Sequence, residues 1–182
     1  MTLEEADRRV ARYAWLERRR FDLLGTWAAG APEPEAKALL ATHALRHAWH
    51  GSLWAEHLPR RSGHAGPTAD AGEDALVAVV DAAARPRGAG ATAERLVGAY
   101  RVLAPYAVTA YTQHLALASV ISDASQLRTL RLVLADQVEG WQEGEAVLQS
   151  LLRTEHDIKR AASHQAALEV LMLAAGGVAG AG

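Results

Sequence analysis

THALRHAWHGSLWAEH, residues Thr42–His57, sets three histidines at one helical spacing. His43, His47 and His50 stand at i, i+4 and i+7, which share one face of an α-helix. The same face runs back through Ala36 and Leu39/Leu40 and on through Trp54 and Leu58. The stretch therefore reads as an amphipathic helix, apolar at both ends of its inward stripe and polar in the middle. Pro34 opens it and Pro59 stops it.

The flanking segments repeat this 3.6-residue period. Leu3–Ala29 reads as a first helix, with Thr2 and Glu5 as a capping box and Gly30 and Pro32 as its end. Its stripe is Val10, Tyr13/Ala14, Glu17, Phe21, Leu24 and Trp27/Ala28. Arg60–Gly72 reads as a loop, Glu73–Ala84 as a short helix, and Arg85–Gly90 as a second break. A third long helix is expected over Ala91–Ser122, with the stripe Leu96, Tyr100, Leu103, Ala107, Ala110/Tyr111, His114, Leu117 and Ile121. Pro105 should kink it. A fourth, capped by Asp123 or Ser125, reads to Arg153, with the stripe Leu127, Leu130, Leu134, Gln137/Val138, Trp141, Glu145, Leu148 and Leu152. Glu155–Ala174 is a final helix, and GGVAGAG after it is expected to fray. Two helical hairpins joined by one long crossover is the plan of a ferritin-like bundle. One domain is expected over 1–176, with a flexible tail at 177–182.

Composition agrees. The 182 residues include 40 Ala and 24 Leu and no Cys. Ala and Leu favour helix, so the expected class is all-α. The missing Cys excludes disulfides, thiolate metal sites and a cysteine nucleophile. A net charge of −2 gives no electrostatic footprint for nucleic acid. The 17 Arg against 2 Lys read as a GC-rich coding bias, and so as a bacterial origin. With no secretory signal at Met1–Arg9 and no membrane-spanning stretch, the expected compartment is the cytoplasm.

The inward stripes are interrupted at matching depth by Glu17, by His43, His47 and His50, and by Gln137. Burying such groups is costly unless each finds a partner or a metal. Glu17, His47 and His50 are the expected metal ligands, with His43 and Gln137 as nearby candidates. Two His and one carboxylate form the triad that binds Fe(II), and His pairs at i, i+3 also take other divalent metals. For such a site both His should come within about 5 Å of the Glu17 carboxylate. A Gln137–Glu17 hydrogen bond in a dry core would favour a scaffold instead. Trp27, Trp54 and Trp141 are expected in the core. Trp15 and Trp49 are expected under the fifth helix or at a subunit interface. The run ERRR, Glu17–Arg20, reads mostly as a solvated helix face.

SDASQLRTLRLVLADQVEGWQEG (Ser122–Gly144) resembles the last bundle helix of bacterial ferritin-like proteins. YAWLERRRFDLLGTW (Tyr13–Trp27), HALRHAWHGSLWAEHLP (His43–Pro59) and Tyr100–His114 resemble the first, second and third. The resemblance spans about residues 3–153. Diiron members carry one Glu on each of two helices and Glu-x-x-His on the other two. Glu17 matches the first Glu, and His47-x-x-His50 stands for one Glu-x-x-His. Helix three has no carboxylate near Gly98 or Tyr111. Helix four offers Gln137-x-x-Gly140 or, slipped by one, Asp136-x-x-Glu139. The resemblance thus implies a degenerate diiron site that binds a single metal, iron or another divalent ion, or a small ligand. The alternatives are a non-haem iron oxidoreductase or hydroxylase using Glu17, His47 and His50, and a helical scaffold without chemistry. A homodimer through Ala-rich faces is also expected.

Overall fold

The computed structural model describes residues 3–58, 74–121 and 123–179. The expected Thr2 cap, the Arg60–Gly72 loop and residues 180–182 of the tail lie outside them. Among the described residues the chain is all-helical, with no strand. No helix among them is long and apolar enough to cross a membrane.

Helix α1 spans Leu3–Gly30 and α2 spans Pro34–Ala55. Pro34 sits in the first turn of α2, where its missing N–H costs nothing. The two helices pack along their lengths. Helix α3 covers Asp74–Ala83. A 3₁₀ turn, Ala89–Ala91, leads into α4, Thr92–Leu96. A π-helical segment, Val97–Leu103, carries the chain on into α5, Ala104–Leu117. Then come α6, Ala124–Leu151, and α7, Glu155–Ala174. Helix α6 packs on α2, α5 and the π segment, and α7 packs on α3, α4 and the π segment.

The π segment is the local answer to Pro105. Proline has no N–H, and in a regular helix its ring meets the carbonyl four residues back. Here Ala104 N–H reaches back five residues to Ala99 O, so the turn is already widened where Pro105 enters the first turn of α5. Such bulges are a known way of fitting an irregular residue into a helix.

Three side chains sit differently from their expected places. Arg20, read as part of a solvated run, is 1% exposed, while Phe21, expected inside, is 37% exposed. The inward face of α1 runs through Tyr13, Leu16, Glu17, Arg20, Leu24 and Trp27, which are all buried, so the stripe passes one residue before Phe21. Trp141, expected in the core with Trp27 and Trp54, is 36% exposed. Its neighbours Gly140 and Gly144 face inward instead. The expected third helix also stops early. It ends at Leu117, and both Leu117 and Ile121 are solvent-exposed.

Beyond α7, Gly176 and Gly177 adopt positive φ and Gly177 N–H bonds to Met172 O, which brings Val178 back onto the core. Glycine has no Cβ to oppose that left-handed turn.

Gly144 is where α6 meets the π segment. A Cβ there would lie 2.2 Å from Cγ of Tyr100, overlapping the ring. At Gly140 the nearest contact would be 3.4 Å, to His43 Cε1. Ala gains about 1 kcal/mol over Gly in a helix, whereas overpacking costs about 1–3 kcal/mol. Gly144→Ala is therefore expected to destabilise the protein by about 2 kcal/mol, and Gly140→Ala to be neutral or stabilising. Equilibrium chemical denaturation checks both.

Candidate functional site

Glu17 projects from α1 into the protein and is fully buried. A buried carboxylate must have its lone pairs occupied, and four elements supply the donors. His47 of α2 places Nδ1 2.5 Å from Glu17 Oε2. Tyr111 of α5 donates its hydroxyl to Oε1 at 2.6 Å. Gln137 of α6 donates Nε2–H to the same oxygen at 3.1 Å. On α1 itself, one turn on from Glu17, Arg20 Nη1 lies 4.0 Å from Oε1. Arg20 Nη1 also donates to Gln137 Oε1 at 2.6 Å, which orients the amide so that its NH₂ faces the carboxylate.

His50 completes the group. Its Nδ1 lies 3.6 Å from Glu17 Oε2, and its Nε2 lies 2.9 Å from Asp136 Oδ2. A carboxylate accepts only, so His50 carries its proton on Nε2 and aims the Nδ1 lone pair at the centre. By the same logic His47 donates Nδ1–H to Glu17. One donor atom each from Glu17, His47 and His50 lies within 4.8 Å of the others. Ligands at about 2.1 Å from one ion stand up to about 4.2 Å apart, so small side-chain movements would close the set on a single ion. Asp136 behind His50 is the outer carboxylate that commonly orients a ligating imidazole.

Electrostatics sharpen the assignment. Burial alone would raise the Glu17 carboxyl, but His47, the nearby His50 and Arg20 outweigh it and hold Glu17 well below the usual carboxylate range. Burial lowers His47 to about 4, helped by Arg20 and opposed by Glu17. For this coupled pair the consistent state near neutral pH is Glu17 ionised, His47 neutral and Arg20 the countercharge. Burial and the facing carboxylate push Tyr111 well above its ordinary value, so it remains a donor.

His43 belongs to a neighbouring network. Its Nδ1 meets Tyr100 OH at 2.8 Å and its Nε2 meets Glu143 Oε2 at 2.8 Å. Both ring nitrogens are engaged, so His43 stands outside the Glu17 group. Gln137 lies inside that group as a hydrogen-bond donor. Arg46 reaches Glu139 at 3.3 Å and Glu143 at 3.7 Å. His57 turns away to Thr129 Oγ1 at 2.9 Å. The void beside these networks, lined by Arg20, His43, His47, Tyr100 and Gln137, measures about 10 Å³, about the room of one water.

Both tests drawn from the sequence are met at once. His47 and His50 lie within 5 Å of Glu17, and Gln137 bonds Glu17 in a buried core. Beside Glu17 the groups on α5 and α6 are the Tyr111 phenol and the Gln137 amide, both donors. Glu17, His47 and His50 are a group that could hold a metal ion. Arg20 and Tyr111 are the members that sequence reasoning did not assign to the group, and Asp136 entered only through the slipped register Asp136-x-x-Glu139. The i, i+3 spacing from Glu17 was the available signal for Arg20. Comparison with protein-family models, with curated proteins and with solved structures finds no match.

Arg20→Met leaves the Glu17 carboxylate without its countercharge. It should cost about 3–5 kcal/mol, and Glu17→Gln in that background should recover part of the loss, as a double-mutant cycle measures. The pH dependence follows from His47 and His114, both lowered to about 4. Burial is the largest cause for each, aided by Arg20 for His47 and by Arg9 for His114. Between about 6.5 and 4 the unfolded chain binds more protons than the native one, so stability falls as pH drops through that window. His114 is fully buried with neither ring nitrogen hydrogen-bonded. His114→Leu should therefore flatten the acid limb of a denaturation-midpoint profile.

Proposed function

We propose that this chain is a ferritin-like protein whose two-metal centre has contracted to one divalent-metal position, held by Glu17, His47 and His50. The observation that carries the reading is the convergence of those three donor atoms within 4.8 Å in a buried site. The packing of α1 on α2 and of α5 on α6 supports the bundle plan, with a long connection between the pairs. Iron, or another divalent ion that accepts imidazole and carboxylate, suits the donor set. An ion held there would supply Lewis acidity, with His47 ligating through Nδ1 as its Nε2–H tautomer. The water-sized void gives no support to a hydroxylase acting on an organic substrate at this point.

A second reading, a metal-free scaffold, is favoured by the Gln137–Glu17 bond and by Arg20, which together close the cluster without an ion. Metal analysis of untagged protein after incubation with Fe(II), Zn(II), Ni(II) or Cu(II) separates the two. About one ion per chain is expected in the wild type, with loss of stoichiometric uptake in His47→Ala and His50→Ala. A wild type that takes up no stoichiometric metal would leave the scaffold.

A further inference from the structure

A separate cavity of about 230 Å³ lies between the last turns of α1 and the connection from α3 to α4. None of its lining residues belongs to the Glu17 cluster. Three guanidinium groups, from Arg19, Arg87 and Arg95, line it. Arg95 is 8% exposed. Its Nε donates to Pro86 O at 3.3 Å, and its Nη1 is buried with no hydrogen-bond partner. Arg19 repeats the pattern. Its Nη2 pairs with Asp81 Oδ1 at 3.0 Å, while its Nε is buried and unpartnered. A Cβ on Gly30 would lie 3.9 Å from Arg95 Nη1, so the guanidinium sits at the negative end of α1, held there but not saturated.

Buried N–H groups without acceptors are costly, and two of them belong to residues from different elements that line this cavity. The lining carries one carboxylate, Asp22. With Asp81 engaged on Arg19, the local balance remains cationic. Leu23, Trp27 and Pro86 provide an apolar wall. The volume falls just below that of common ligand pockets, about 300–1,000 Å³, which limits an occupant to a compact molecule. Guanidinium groups present paired N–H donors matched to the two oxygens of a carboxylate or phosphate. We infer that this cavity binds a small oxyanion, a phosphate or a carboxylate on a compact apolar body, through Arg95, Arg19 and Arg87. The wider groove along α7 is a weaker candidate, because its Arg160 is already paired with Glu94.

Thermal unfolding of the full chain at constant ionic strength tests the assignment. Sodium phosphate and sodium benzoate are each titrated against sodium chloride. At least one is expected to raise Tm by about 2 °C or more over chloride. A shift with phosphate alone assigns the bare ion, and a shift with benzoate assigns the apolar wall a role as well. Arg87→Ala should abolish the shift. Arg87 is exposed on the connection, so this variant keeps the test valid if Arg95→Lys fails to fold. Tm values equal to those in chloride for both anions, or a shift that persists in Arg87→Ala and Arg95→Lys, would overturn the inference.

Discussion

One fully buried carboxylate organises the interior. Glu17 stands where a Leu would otherwise pack, and its ionised form is tolerable because α1, α2, α5 and α6 all direct a donor at it. The arrangement is a constraint on register. A shift of any of these helices by one residue would withdraw His47, Tyr111 or Gln137 and leave charge in a medium that cannot solvate it. Apolar packing alone tolerates small slips, because hydrophobic contact is non-directional. The hydrogen bonds to Glu17 are directional, and so they select one alignment among several that would bury similar area.

The remaining irregularities lie around the same layer. The π segment carries Tyr100, whose hydroxyl engages His43. Gly144 of α6 gives the Tyr100 ring its space. At Gly51 of α2, by contrast, a Cβ would lie 3.6 Å from Glu17 Cβ, an ordinary contact. An apolar cluster of Tyr13, Trp54 and Tyr111 seals one side, with Tyr111 presenting its ring to Trp54 and its hydroxyl to Glu17. Of the three, only Tyr111 reaches the centre with its polar tip, while Tyr13 OH donates to Ala110 O.

The helices were legible because their signal is periodic and local. Ala and Leu content, the i, i+3, i+4 stripes and the Pro and Gly stops placed α1, α2, α6 and α7 close to their observed ends. Glu17, His47, His50 and Gln137 were legible as polar breaks in apolar stripes. Arg20 was not, because next to Arg18 and Arg19 it looks like one more solvated cation, and only the position of α6 shows that Gln137 waits for it. Glu143 was equally hidden, and Asp136 was visible only in the slipped register, since their roles depend on how α6 is rotated against α2. The same rotation turns Trp141 outward and Gly140 inward. The end of α5 was misplaced because the apolar residues at 117, 120 and 121 continue a stripe that has nothing left to pack against.

Charge decides what the centre can accept. With Glu17 ionised and His47 neutral, Arg20 is the charge that offsets the carboxylate. Unit charges 4 Å apart interact by about 4 kcal/mol at an effective dielectric near 20, which is the scale on which Arg20 stabilises Glu17. A divalent ion on Glu17, His47 and His50 would meet the same guanidinium with the opposite sign and twice the charge. Asp136, hydrogen-bonded to His50, offsets part of that repulsion. A second ion would have no carboxylate to bridge it, because Gln137 and Tyr111 are neutral and act as donors. Set against Glu17 and Asp136, Arg20 and one divalent ion would leave a net positive charge at the proposed site, and a second ion would raise it further.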